Sequence, residues 1–370
     1  MITLEQLNAL AAGQFVATLG VVFEHSPWVA ERAAAQRPFA SRLQLLDTMR
    51  AAVDDATPAQ QLALIRAHPK LGTRGRSASP LTVASAGEQR RAGLAACTPA
   101  DGVRLEQLNA LYLERFGFPF ILAVRGHDPA SIIANLERRL SSDIESERQA
   151  ALSQIGAIAA YRLADMIASP PGPEIVAMLE RLLRSSTASG MVREWMQAAG
   201  LEVWPAPGSA AIGSHLLLGL ARGGEPTAKT LLAGVCRDAL MNALRYQGRA
   251  AFIIAIEVAQ QLRHQGARPA FALAVLARPD AAGPGNTGGL PDGHAPQIWV
   301  ELGPADAADA QGTEMLRTLR MAQLGAAVTL VRQGCASGGQ GAAALDAAAA
   351  GRAALALEQS LRGVQTAAHG

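Results

Sequence analysis

Cysteine is scarce in this 370-residue chain: Cys97, Cys236 and Cys335 are its three, and no two form a C-x-x-C pair. Neither a disulfide framework nor a cysteine zinc knot follows from that spacing, and a reducing cytoplasm is expected. Aromatic residues make up 4% of the chain, which removes the stacking platforms that single-stranded nucleic acid binders need. Neither sign of charge dominates, since 33 Lys and Arg against 31 Asp and Glu leave a formal +2. Such a balance gives no field suited to nucleic acid or to an anionic membrane surface. No apolar run approaches a membrane span, and the start "MITLEQLNALAAGQF" lacks the basic, apolar and small-residue regions of a secretory signal. A soluble cytoplasmic protein with a small-molecule partner is the expectation.

The length allows two domains, each able to bury a core. Apolar residues three and four apart in "LQLLDTMRAAV", "QLALIRAH", "LEQLNALYLERF" and "SIIANLERRL" predict helices, with no alternating strand, over residues 1–168. The helix "ALSQIGAIAAYRLADMI" ends before "ASPPGPE", where paired prolines and a glycine predict a linker at 169–174. Over 175–370, strand-length runs "TLLAGV", "FALAVLA", "IWVEL" and "AVTLV" alternate with helical segments such as "AAFIIAIEVAQQLRHQ". "AAGPGNTGGLPDGHAP" reads as a loop, and the alanine-biased stretch after "GGQG" as a closing helix. The expected fold class is multi-domain, an all-α N-terminal helical domain followed by a smaller α/β domain.

Four features of the first half carry chemistry. In "LIRAHPKLGTR" proline biases His68 away from the α region, so the imidazole stands at a helix end, either capping terminal carbonyls or facing a ligand. In "SAGEQ", Ser85 and Glu88 have the S-x-x-E spacing of a capping box at a helix start, which can equally present a carboxylate and backbone N–H groups to a polar ligand. "ERFGFPFILAVRG" alternates Phe116, Phe118 and Phe120 with Gly117 and Pro119, the pattern of a buried turn against which a small ligand can lie. Arg162 interrupts an apolar helix and needs a carboxylate partner or an opening to solvent.

Together, "VFEHSPWVAE", "AHPKLG", "LTVASAGEQRRAGL", "LNALYLERFGFPFILAVRG" and the Arg162 helix resemble the 2-oxo-4-hydroxy-4-carboxy-5-ureidoimidazoline (OHCU) decarboxylase family, over nearly all of residues 1–168. The resemblance implies an all-helical carboxy-lyase of purine degradation that uses no cofactor or metal and converts the ureidoimidazoline formed downstream of urate into (S)-allantoin and carbon dioxide. It implies His68 and Glu88 as the catalytic pair, with Pro69, Ser85, Gln89, Phe118, Phe120, Ile121 and Arg162 around the substrate. A homodimer is implied as well, and contact with other urate-pathway enzymes is expected as one use of the second half. Lys70 departs from the acidic residue that members often carry after the His-Pro pair.

The second half, clearest over about 175–280, resembles zinc-dependent amidohydrolases related to allantoate amidohydrolase. Against that pattern Cys236 stands at a histidine position, Asp238 remains, Gln247 replaces a bridging aspartate, and Asp280 is followed by Ala281 and Ala282 rather than paired glutamates. Two zinc ions need several anionic or imidazole ligands, which an amide and two methyl groups cannot supply. His215, His264 and His294 lack ligand spacing and read as structural or surface residues. A non-catalytic domain without metal is therefore expected. The alternatives are a bifunctional decarboxylase and amidohydrolase, or an inactive scaffold in which both halves have lost their chemistry.

Overall fold

Three helices of the first half begin with one device, an oxygen-bearing side chain followed by proline: Thr57-Pro58, Thr98-Pro99 and Asp128-Pro129. The first residue accepts a hydrogen bond from a backbone N–H of the opening turn, and proline fills the position whose own N–H has no helical partner. The computed structural model describes residues 1–72, 83–91, 94, 97–184, 188–205, 217–221, 230–238, 245–265, 272–279 and 296–300. Two compact units divide the chain, Met1–Ile167 and Ala168–Gly370.

The first unit opens with β1 (Ile2–Thr3), α1 (Leu4–Ala9), α2 (Ala12–Leu19), α3 (Trp28–Ala34) and α4 (Arg42–Asp54). It continues with α5 (Pro58–Ala67), α6 (Val83–Arg91), α7 (Pro99–Phe116), α8 (Pro129–Arg139) and α9 (Ile144–Met166). The expectation of a purely helical half needs one correction, because β1 pairs with β2 (Ile167–Ala168). Two-residue strands are too short to show alternation, and Thr3 doubles as the N-cap of α1.

At the centre lies α9, with every residue from Ile155 to Ala164 buried. Small residues let neighbours approach closely: a Cβ on Gly156 would stand 2.8 Å from Nε of Arg50. Beside α9, Tyr112 meets Phe116, Phe118 and Phe120 at ring separations of 4.6, 6.1 and 5.3 Å. Burying each such ring contributes roughly 1.5–3 kcal/mol. The α7 helix ends at Gly117, whose φ of 72° is the left-handed conformation that glycine adopts without penalty.

The second unit holds α10 (Pro171–Arg184), α11 (Ala188–Ala198), β3 (Glu202–Pro205), β4 (Leu217–Ala221), β5 (Thr230–Asp238), α12 (Arg245–His264), β6 (Ala272–Pro279) and β7 (Pro296–Val300). Its sheet runs β3-β4-β6-β5-β7, with β5 parallel to β6 and β7, and β4 antiparallel to β3 and β6. The unit β5-α12-β6 is a parallel crossover carried by the segment read as helical. Strands β3 and β4 were not legible in the sequence.

Two further expectations are corrected. Residues 171–174 of the proposed linker form the first turn of α10, because prolines in an opening turn lose no helical hydrogen bond, and Ser169 Oγ donates to Glu174 Oε2 at 2.9 Å. In chain length the second unit is the longer of the two, not the smaller. The run "AVTLV", the Gly/Pro loop, the closing helix, His215, Asp280, Ala281, Ala282, His294 and Cys335 lie outside the described residues.

Candidate active site

His68 is the C-cap of α5, with φ −77° and ψ 140°, the extended conformation that Pro69 imposes. Its side chain is buried, and Nδ1 donates to the Leu64 carbonyl oxygen at 3.0 Å. A carbonyl only accepts, so in the neutral ring the proton sits on Nδ1 and Nε2 keeps its lone pair. Among the described residues Nε2 is buried without a hydrogen-bond partner. Burial pushes the imidazole down to about 4, against the opposing effects of the Leu64 carbonyl and the Glu24 carboxylate. The ring thus caps its own helix and also holds a free proton-accepting nitrogen.

Arg162 gathers the remaining polar groups. Nε and Nη2 donate to Oε1 and Oε2 of Glu88 at 3.0 and 3.1 Å, a forked pairing. Nη2 also donates to Ser85 Oγ at 3.0 Å, and Nη1 to Glu24 Oε2 at 2.8 Å and the carbonyls of Val21 and Val22 at 3.2 and 3.3 Å. Ser85 Oγ donates to the same Glu24 oxygen at 3.1 Å. All five guanidinium N–H groups are therefore engaged within the protein. The two carboxylates differ in access, Glu88 at 21% and Glu24 at 1% side-chain exposure, so only Glu88 can meet a ligand directly.

The capping box read from "SAGE" is corrected. Ser85 is the third residue of α6, and its hydroxyl joins Glu24 to Arg162 while Glu88 turns to Arg162. One helical turn separates the two residues, so the spacing that marks a cap also sets both on one face.

Gln89, on the next residue of α6, clamps the segment after the His-Pro pair. Its Oε1 accepts from the Gly72 N–H at 3.1 Å and its Nε2 donates to the Lys70 carbonyl at 3.2 Å. Phe118, Phe120 and Ile121 are buried, the two rings packed against Tyr112. Arg139 lies 4.7 Å from the centre of the Phe120 ring, and its Nη1 donates to the Ile121 carbonyl at 2.6 Å. The turn is tied to α5 by Arg66 Nε, which donates to the Gly117 carbonyl at 3.0 Å. Among the described residues no hydrogen bond links Phe118, Phe120 or Ile121 to His68, Glu88 or Arg162.

Glu24 is the residue that site reasoning from the sequence missed. The signal was present, an acid set in the apolar run "VVFEHSP". His25, beside it, is exposed and has a φ of 48°, the one non-glycine residue with positive φ among those described. For a residue with a Cβ that conformation costs about 1–2 kcal/mol.

In the second unit Cys236 and Asp238 fall at the end of β5, opposite Ala277 and Pro279 of β6, and Gln247 in the first turn of α12. Among the described residues no group of three or more His, Cys, Asp or Glu side chains is arranged to hold a metal ion. No described helix is long and apolar enough to cross a membrane.

Similarity to known proteins is concentrated in the first unit. A family model described as OHCU decarboxylase matches residues 8–164. A 2-oxo-4-hydroxy-4-carboxy-5-ureidoimidazoline decarboxylase of Haloferax volcanii is 43% identical over 168 residues, covering 45% of this chain and 98% of the relative. The corresponding mouse protein is 38% identical over 44% of this chain and 91% of its own length. The uric acid degradation bifunctional protein PucL of Bacillus subtilis is 43% identical over 45% of this chain and 33% of that protein. Since the matched span runs through the helices carrying His68, Glu88 and Arg162, and two relatives are covered almost end to end, the chain belongs to the OHCU decarboxylase family.

Proposed function

We propose that the first unit decarboxylates 2-oxo-4-hydroxy-4-carboxy-5-ureidoimidazoline to (S)-allantoin without a cofactor, with His68 and Glu88 as the reacting protein groups. The observation that carries this reading is the buried Nε2 of His68, a neutral base in the same cluster as an accessible carboxylate held by Arg162. Breaking the bond to the carboxyl group leaves its electron pair in the ring, where the neighbouring C=N takes it up as the nitrogen gains a proton from solvent water, the one proton the reaction consumes. The hydroxyl proton leaves as the ring carbonyl forms, and the adjacent carbon is protonated on one face.

A neutral His68 accepts the hydroxyl proton at Nε2 and can return it to the ring carbon. The carboxylates of Glu24 and Glu88 balance the imidazolium formed in between. Glu88 and Gln89 orient the polar ring edge, Ser85 and Pro69 border it, and the turn through Phe118, Phe120 and Ile121 supplies apolar contact and backbone polar groups. Arg162 was expected to grip substrate; with its donors engaged, its part is to present Glu88 and Ser85 to it.

The test generates the substrate in situ from urate and follows optical activity, since spontaneous decay gives racemic allantoin. An enantiomeric excess with the native chain that His68→Asn abolishes supports the reading. Racemic product from the native chain refutes it.

For the second unit we propose a degenerate amidohydrolase relative without catalytic zinc, a reading supported by Cys236 and Gln247 at the ligand positions. Stoichiometric zinc after supplementation, with chelator-sensitive ammonia release from allantoate, would overturn it and favour a bifunctional enzyme. A cytoplasmic homodimer completes the proposal, and light scattering at micromolar concentration tests the dimer.

A further inference from the structure

Glu24 is buried in the cluster and has no direct access to a ligand. Its Oε2 accepts from both the Ser85 hydroxyl and Nη1 of Arg162, and Ser85 Oγ in turn accepts from Nη2 of the same guanidinium. The remaining face of that guanidinium grips Glu88 in a fork. Burying a carboxylate is costly, and the chain accepts a left-handed φ at His25 in the adjacent position.

We propose that Glu24 is a positioning residue for the decarboxylation, locking Arg162 and Ser85 so that the Glu88 carboxylate is held in its productive orientation. This rests on the decarboxylase reading given above. The Glu24 carboxylate has a second effect, because it favours the imidazolium that His68 becomes on accepting a proton. The charged and titratable groups that act on His68 are Glu24 from the turn before α3, His25 beside it, and Arg162 from α9. Glu88 from α6 is paired with that same Arg162.

The experiment uses the full chain with Glu24→Gln, which keeps shape and removes charge, and Glu24→Asp, which keeps charge. Circular dichroism and thermal melting establish that each is folded at the assay temperature. Glu24→Gln is expected to lower kcat between 10- and 100-fold with KM within about threefold, the size of effect that misplacing a catalytic group produces. Glu24→Asp is expected to recover part of that loss.

An NMR titration of the His68 ring provides a readout independent of turnover. The His68 midpoint is expected to move to lower pH in Glu24→Gln, because the carboxylate that favours the charged ring has gone. A folded Glu24→Gln protein with native kcat and an unmoved His68 titration would overturn the proposal. So would a loss of activity that cooling fully restores, which marks a role in stability alone. If the native chain yields only racemic allantoin, the decarboxylase reading fails first; an unmoved His68 titration with intact native activity rejects Glu24 alone.

Discussion

Arg162 and Glu88, 74 residues apart in sequence, meet through two hydrogen bonds of 3.0 and 3.1 Å, one from Nε and one from Nη2. The fork fixes the carboxylate plane as well as its position, which a single contact does not. Several measurable consequences depend on this pairing and on the buried groups around it.

Arg162→Met leaves Glu24 buried without its principal cation. The expected cost is about 3–5 kcal/mol of stability, together with loss of enantioselective allantoin formation. Adding Glu24→Gln to that variant removes the stranded charge and should restore much of the melting temperature without restoring activity. Melting curves of the single and double variants give the comparison, and a single variant as stable as the native chain would contradict the buried-charge argument.

Glu88→Gln keeps an oxygen for one prong of the fork, and its side chain reaches solvent. Stability should fall by no more than about 1–2 kcal/mol. Turnover should fall by roughly 10²–10⁴-fold, the range for a lost proton-handling group. Near-native turnover in a folded variant would remove Glu88 from the reacting pair.

The His68 imidazole, pushed down to about 4 from 6.5 by burial, makes stability depend on acid. Between those two values the unfolded chain binds more protons than the folded one, so its contribution is complete above pH 6.5 and is lost as pH falls toward 4. The integrated effect is on the order of 3 kcal/mol. Urea unfolding of the native chain at pH 7 and pH 5 should therefore show a larger drop in stability than the same pair of measurements on His68→Gln. For catalysis by neutral His68, kcat/KM should stay level from pH 8 to pH 6 and decline only well below; a midpoint near 6.5 would assign the base elsewhere.

Gly72 has a φ of 76°, and a Cβ there would approach Leu105 Cδ2 to 2.3 Å. Gly72→Ala should displace the segment from Pro69 to Gly72 and loosen its hydrogen bond to Gln89 Oε1. Gln89→Leu removes both of its bonds to that segment without a steric conflict. Both variants should raise KM, and Gln89→Leu should do so with the smaller loss of stability. Unchanged KM in Gln89→Leu would show that the segment keeps its place without this clamp.

Local order was largely legible in the sequence, because helix starts and stops depend on near neighbours. Periodicity located α4, α5, α7 and α8, Pro69 set the backbone of His68, and "FGFPF" marked the end of α7. The prolines at 170, 171 and 173 misled for an equally local reason, since the same residue stops one helix and opens the next. Strands β3 and β4 escaped because their own runs are short, and β4 is fixed in the sheet by β6, a strand distant in sequence.

Residue chemistry alone marked His68, Ser85, Glu88 and Arg162 as candidates, and the family motifs ordered them and added Gln89. Only tertiary structure decided how they work together. Which nitrogen of His68 carries the proton depends on the Leu64 carbonyl and on burial from all sides. Whether Ser85 caps its helix or joins a charge cluster depends on Glu24, 61 residues away, and on Arg162, 77 residues away. Local sequence determines backbone conformation because the forces involved act over a few residues; protonation, access and ion pairing are set by whatever distant segments exclude water, and those meet only in the folded chain.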